Sequence, residues 1–376
     1  MELTINLGSR SYPVVLDSGI AAEGLPSRLK SVFPDSKFGL VTNTTIHKLY
    51  KRHIEKWTRE LSLTVHVMPD GEQYKTIATW SRIFDTFLAA KFERSSVLIT
   101  LGGGVVGDVA GFAAATMLRG IRYVQVPTTL LAMVDSSIGG KTGVNYICPS
   151  VPAAGSHIRP FGGKNLIGAF HQPSLVWIDT AFLDTLPQRQ FLAGSAELFK
   201  YAFIGGREMF TFVSITAGAL LKGRNRELLQ GIRRSIEIKA GIVEQDERET
   251  GGRRMLLNFG HTFAHALEKC TGFKKMLHGE ALWRGMACAC ELGKLLKTIP
   301  VSDLPAYHAL LQSMPRPKLP LDLSVNDLYS AMFFDKKVSG GKINFVVPAP
   351  AGISVVKSGV PAEAVKKAIE KVFKKE

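Results

Sequence analysis

The sequence predicts an α/β domain built on a parallel sheet, followed by a mostly α-helical domain. Two observations carry this. Through its first half the chain alternates short β-branched runs with helix-spaced runs, a βαβα rhythm that calls for parallel strands covered by helices. Near residue 180 that rhythm stops and long helical patterns take over. A length of 376 residues is ample for two domains, which we set at 1–180 and 181–376.

The opening stretch MELTINLGSRSYPVVLDSG alternates as strands do. KFGLVTN (37–43) reads as a strand and TTIHKLYKRHIEKWTRE as one helix after it. LTVHVMP is a strand, TIATWSRIFDTFLAAKF a helix, and SVLITLGGG a strand. VVGDVAGFAAATML follows as a helix, then IRYVQVPTT and LVWIDT (175–180) as strands. CPSVPAAGSHIRPFGG (148–163) is rich in Pro, Gly and Ser and reads as a long loop, a length usually reserved for functional or mobile segments. Beyond 180, AELFKYAFI, the stretch from Arg224 to Glu249, TFAHALEKC and HGEALWRGMACACELGKLLK all carry helical spacing. The basic tail KKAIEKVFKKE reads as a solvated helix face, with Lys366, Ala368, Ile369, Val372 and Phe373 giving a mixed amphipathic pattern.

Composition narrows the function classes. An apolar fraction of 45% with 21% charged residues is ordinary for a globular protein. The start has no apolar core of a signal peptide, and the most apolar window, GVVGDVAGFAAATML, is too short for a bilayer. We expect a cytoplasmic protein that does not bind membranes. Cys148, Cys270, Cys288 and Cys290 form no C-x-x-C pair, so they read as buried or idle thiols. The formal charge of +15 attracts anions, but the cations are spread along the chain and no nucleic-acid motif accompanies them. A small anionic substrate explains them better than nucleic acid.

Two segments carry chemistry. In GGGVVGD, Gly102, Gly104 and Gly107 satisfy G-x-G-x-x-G between a strand and a helix, where backbone N–H groups can meet a phosphate. The ribose-binding acid expected about 20 residues on is missing from RGIRYVQVPTT, so the site is not a standard Rossmann site. GGKTG (139–143) is not a P-loop, because Asp135 stands where the first glycine is required. In LNFGHTFAHALE (257–268), His261 and His265 lie four apart on one helix face and are the metal pair that spacing nominates. Thr262 rules out H-E-x-x-H, and the third ligand stays open among His278, Glu280, Glu268 and Glu197.

These segments, read together, resemble the 3-dehydroquinate synthase family of sugar phosphate cyclases. DGEQYK (70–75), GGGVVGDVAGFAAATMLRG, VPTTLLAMVDSSIGGKTGVN, GKNLIGAF, AELFKY, DERETG, LNFGHTFAHALE, HGEA and DKK (335–337) occur in the family's order. The resemblance implies an N-terminal α/β domain binding NAD and a helical C-terminal domain binding metal. It implies Zn2+, with Co2+ able to substitute, on Glu197, His261 and His278, and it moves His265 from the metal to the substrate. It implies NAD contacts at Asp70, Gly71, Glu72, Gln73, Tyr74 and Lys75, then Gly104, Val105, Val106, Gly107 and Asp108. Thr128, Thr129, Lys141, Lys164 and the hinge residues Phe182, Leu183, Asp184 and Thr185 complete that set.

The implied substrate, 3-deoxy-arabino-heptulosonate 7-phosphate, is anionic at both ends. Lys239, Arg254 and Asn258 are implied on its carboxylate side. Lys141, Asn165, Lys336 and His265 are implied on its phosphate side, with Lys164 beside them and Arg119 reaching across a homodimer. Asp135 and Lys200 are implied to position hydroxyls. The implied reaction is transient NAD-dependent oxidation, phosphate elimination, re-reduction, ring opening and intramolecular aldol closure to 3-dehydroquinate, a step of the shikimate pathway.

The chain departs from the family pattern in three places. Asn43 stands where an Asp is common and is expected to offer its carbonyl to a ribose hydroxyl. An insertion separates GVN from GKN, and Arg253 replaces an apolar residue. The rivals are another sugar phosphate cyclase, such as a 2-deoxy-scyllo-inosose synthase, which has no need of the carboxylate clamp, and, remotely, a basic nucleic-acid-binding protein.

Overall fold

The computed structural model describes residues 1–148, 161–223, 225–272, 275–319, 323–333 and 343–373. It divides into two compact units, Met1–Leu186 and Pro187–Glu376.

The first unit is a seven-stranded sheet in the order β1-β2-β9-β6-β5-β3-β4. Its strands are β1 (Glu2–Ile5), β2 (Tyr12–Asp17), β3 (Phe38–Asn43), β4 (Thr64–Met68), β5 (Val97–Gly102), β6 (Arg122–Pro127) and β9 (Leu175–Asp179). Only the β1–β2 edge pair is antiparallel. Every residue of β3, β5 and β9 is buried, which explains their unbroken apolar runs: a parallel sheet is covered on both faces. The covering helices are α1 (Ala21–Val32), α2 (Thr44–Leu49), α3 (Lys51–Leu61), α4 (Ile77–Ala89) and α5 (Gly104–Thr116). Ile83 and Phe87 of α4 and Val106, Val109 and Ala113 of α5 share one core cluster with Val41 and Leu98 of the sheet. The single helix expected over 44–60 breaks at Tyr50, which leaves helical geometry at φ −111°.

Two further strands, β7 (Lys141–Cys148) and β8 (Phe161–Phe170), form a separate antiparallel hairpin. The loop expected over 148–163 is therefore corrected at Cys148 and at residues 161–163, which are strand; its remainder lies outside the described residues. Pairing runs Val144 to Ile167 and then Tyr146 to Gly163, so β8 spends extra residues opposite Asn145. Such a bulge re-aims side chains.

The second unit contains α6 (Gln188–Ile204), α7 (Arg207–Lys222), α8 (Arg226–Gln245), α9 (His261–Cys270), α10 (His278–Leu295), α11 (Leu304–Ser313) and α12 (Val325–Met332). A hairpin of β10 (Asn344–Pro348) and β11 (Ser354–Ser358) follows, and α13 (Ala362–Phe373) ends it. The hairpin interrupts an otherwise helical half. No helix among the described residues is long and apolar enough to cross a membrane.

The tail corrects a second expectation. α13 is not simply a solvated face: Val365, Ala368 and Ile369 are buried and the helix packs on α10. Lys371 pairs with Glu291 of α10 at 3.5 Å, while the Lys366 ammonium sits over the Tyr329 ring. Spacing of three and four between the apolar residues makes the stripe that docks. Ile369→Ala should therefore destabilise the protein by about 2–5 kcal/mol. Chemical denaturation reads this directly, and an unchanged midpoint would contradict a docked tail.

Candidate metal and nucleotide sites

The metal site begins with a carboxylate that has left water. Glu197 lies on α6 and is only 1% exposed. Its Oε2 is 2.6 Å from the Lys200 ammonium one helical turn on, and Lys200 is equally buried. Its Oε1 faces two imidazoles, with His261 Nε2 at 3.3 Å and His278 Nε2 at 3.2 Å. Ligand atoms of Glu197, His261 and His278 all lie within 4.8 Å of one another. Burial works to raise the Glu197 pKa, but Lys200 and then His261 hold it well below the usual carboxylate range. Burial lowers His261 to about 4. Burial opposes the charge on His278 too, yet Glu268 and Glu197 on either side push it up to about 10.

One carboxylate and two imidazoles are the donors of a catalytic Zn2+ site with an open position, and Co2+ suits them as well. The donor set fits such a cation. The two histidine rings nominated by spacing do meet, edge to face with centroids 5.5 Å apart, but their ligand atoms fall in different groups: His261 with Glu197 and His278, and His265 with Glu268 and His278. Glu280, another alternative from the sequence, is engaged elsewhere. It accepts from the Leu277 N–H and from both arms of Arg189 at 2.6 and 2.8 Å, capping α10.

Close helix approach makes the trio possible. Gly279 follows His278 at the start of α10, and a Cβ there would lie 1.8 Å from the carbonyl oxygen of Ala193 on α6. Only glycine lets these backbones meet. On α9, Gly260 precedes His261 at φ +77° and abuts the backbone of Met286.

The cations implied for a carboxylate also lie in this unit. Lys239 on α8 and Arg254 in the 3-10 turn Arg253–Asn258 are buried, and α8 packs on that turn. Arg254 Nη1 donates to the Glu247 carbonyl at 2.6 Å. Asp246 builds the loop: its carboxylate accepts the backbone N–H groups of Thr250, Gly251 and Arg254. Arg253 is exposed and Asn258 half-buried. Lys336 lies outside the described residues.

In the first unit, the glycine segment opens α5. Gly107 is fixed by packing: a Cβ there would lie 2.7 Å from the Gln125 Oε1 on β6, and its N–H already bonds the Gly103 carbonyl. Val106 buries its side chain in the core, so at this turn a ligand meets backbone rather than side chain. Lys75 is paired with Asp108, whose carboxyl is raised by burial even so. Thr128 bonds the Gly102 carbonyl through its N–H. Its hydroxyl is buried with no partner among the described residues, a group suited to a ligand hydroxyl or phosphate. These features fit a dinucleotide.

Asn145 in the bulge, not singled out from the sequence, ties three implied residues together. Its N–H donates to the Lys75 carbonyl and its Nδ2 to Glu72, while its Oδ1 accepts the Asn165 N–H at 2.9 Å. Asn165 adopts φ +54°, and Lys164 beside it is half-buried. Tyr50, also missed, bonds the Phe182 carbonyl and shares a 2.6 Å hydrogen bond with Thr185, fixing the 180–185 turn. Phe182 and Leu183 are buried. Asp70 is exposed, as are Gln73, Tyr74, Lys141, Arg119 and Asp184; Gly71, Glu72, Val105, Thr129 and Asp135 are half-buried. Asn43 is tied into the protein: its carbonyl caps α2 by accepting the Ile46 N–H, and its amide donates to Asp70, which places a second acceptor, the Asp70 carboxylate, at this corner.

The fold is that of the sugar phosphate cyclases. A solved 2-epi-5-epi-valiolone synthase from Streptomyces hygroscopicus, with NAD+ and Zn2+ bound, matches at a TM-score of 0.83 and 25% identity, covering 99% of each chain. A 2-deoxy-scyllo-inosose synthase complexed with carbaglucose-6-phosphate, NAD+ and Co2+ matches in fold at 0.79 and 23% identity, covering 99% of each chain. The family models for the 3-dehydroquinate synthase N-terminal and C-terminal domains match residues 65–193 and 194–338. Among curated relatives, 3-dehydroquinate synthase of Nitrosospira multiformis is 42% identical over 96% of this chain and 95% of its own. That of Coxiella burnetii is 39% identical over 98% of each. The chain belongs to the 3-dehydroquinate synthase family.

Two outcomes test the geometry. Gly279→Ala must push α10 from α6, and metal content measured after dialysis should fall well below that of the parent; full retention would contradict the close contact. Asp246 has a depressed pKa, chiefly through the Gly251 N–H against the opposing effect of burial. Its contribution is complete above the unfolded value of about 3.9 and lost as pH falls through the folded one. Asp246→Asn should lower the denaturation midpoint at pH 7, with the gap to the parent narrowing as pH falls below the unfolded carboxylate value. A gap independent of pH would contradict this.

Proposed function

We propose that the protein is a 3-dehydroquinate synthase, a lyase converting 3-deoxy-arabino-heptulosonate 7-phosphate to 3-dehydroquinate and inorganic phosphate. The observation that carries the reading is the convergence of Glu197, His261 and His278 in a chain of this family. When bound, NAD supplies a reversible hydride acceptor and the cation a Lewis acid. No net redox change results, since the hydride removed returns.

The chain's own residues bind, orient and hold charge. Lys239 and Arg254, buried in packed elements, are assigned to the substrate carboxylate, with Asn258 beside them. A sugar phosphate lacking that carboxylate would have no anionic group to offer these two cations. Lys141, Asn165, His265 and Lys336 are assigned to the phosphate, with Lys164 alongside. The departing phosphate leaves as a dianion, which cations stabilise. Asp135 and Lys200 orient hydroxyls, and Lys200 also holds the Glu197 carboxylate in place. Arg119 is assigned to a neighbouring copy's site in a homodimer, and the protein to the cytoplasm. On the nucleotide side, the α5 N-terminus and the Thr128 hydroxyl take the cofactor. Asp70, held by Asn43 and by the Thr45 hydroxyl, takes a ribose.

Incubating the protein with Zn2+, catalytic NAD and the heptulosonate phosphate should release phosphate and dehydroquinate in equal amounts. No product from fully metallated protein would defeat the reading. Arg254→Ala should lower kcat/KM by about 10²–10³ for this substrate, as expected for a lost charged clamp. Glu197→Ala should lose metal and activity together; retained metal stoichiometry would defeat the ligand assignment.

A further inference from the structure

We infer that Glu268 is a positioning residue: it fixes the ring of His278 so that Nε2 presents its lone pair to the metal. This rests on the metal reading above. The His278 ring lies between two carboxylates, with Nε2 3.2 Å from Glu197 Oε1 and Nδ1 3.3 Å from Glu268 Oε2. A neutral imidazole carries a proton on one nitrogen and a lone pair on the other. Glu197 and His261 gather on the Nε2 side, so the lone pair belongs there and the proton belongs on Nδ1. Nδ1 then donates to Glu268. A carboxylate in that position sets the tautomer, stops ring rotation and makes the imidazole a stronger donor.

Glu268 is suited to this task and poorly suited to the surface. It sits on α9 about two turns beyond His261, on the same face, and is 2% exposed. A buried carboxylate needs a hydrogen-bonded partner, and His278 supplies one. The same helix therefore carries one ligand directly and secures another from α10. A competing arrangement exists, because ligand atoms of His265, Glu268 and His278 also lie within 4.8 Å of one another. A second cation there would need both nitrogens of His278 as ligands at once, which requires stripping its last proton. The single-cation arrangement needs no such step.

Metal binding, read apart from turnover, tests this. Zn2+ affinity is measured by competition with a chromophoric chelator, and Co2+ loading by its visible spectrum, for the parent, Glu268→Ala, Glu268→Gln and Glu197→Ala. The parent is expected to bind one cation. Glu268→Ala should bind it about 10–100-fold more weakly with an altered Co2+ spectrum. Glu268→Gln, whose amide oxygen still accepts from Nδ1, should recover part of the loss. Glu197→Ala should lose the site. Unchanged affinity in both Glu268 variants overturns the positioning role alone, provided Glu197→Ala has lost metal. Two cations in the parent, falling to one in Glu268→Ala, make Glu268 a ligand and overturn the inference. No cation in the parent, or parent-like binding by Glu197→Ala, overturns the metal reading and this inference together.

Discussion

A carboxylate buried at 1% exposure governs the helical unit. An isolated charge in such a place costs far more than a domain can spare, so Glu197 must be surrounded by positive or hydrogen-donating groups. Lys200 meets one oxygen, and the imidazoles of His261 and His278 meet the other. These partners come from α6, α9 and α10, and the packing of those helices follows from bringing them to one point. The capping of α10 by Glu280 and Arg189 and the glycine at 279 then serve the same geometry. One carboxylate oxygen and two imidazole nitrogens brought to one point also form a donor set that suits a divalent cation.

The α/β unit solves a different problem, presenting backbone donors and fixed side chains to a polyanionic cofactor. Here the work falls to polar residues that lock loops. Asn145 couples Glu72, Lys75 and Asn165; Tyr50 holds the 180–185 turn; Asn43 steadies Asp70. Each spends its hydrogen bonds on the protein, so the residues meant for ligands are held in place beforehand.

Much of this was legible in the sequence for a physical reason. The strands β3, β5 and β9 are buried on both faces, so composition alone marks them. The β7–β8 hairpin was half hidden because its second strand begins within a Pro/Gly-rich segment. The tail helix looked solvated because Lys366, Lys367 and Lys371 are interleaved with the three residues that dock. Spacing paired His261 with His265 because periodicity reports neighbours within one helix. Glu197 and His278 reach His261 through tertiary packing, which no local pattern records; the family resemblance supplied them. Asn145, Tyr50, Asp246 and Glu268 act through hydrogen bonds to other residues, and short-range spacing is silent on those.

The contact between Gly279 and Ala193 has a consequence for how this protein can change over time. Around α6 and α10 the aliphatic side chains can trade volume among themselves, one growing as another shrinks. Backbone touching backbone offers no such exchange. Position 279 is therefore outside the slow drift available to the surrounding core, and the distance between the two helices works as a fixed ruler. Lineages diverging from this sequence are free to rewrite most of the packing around the site while inheriting that one spacing intact.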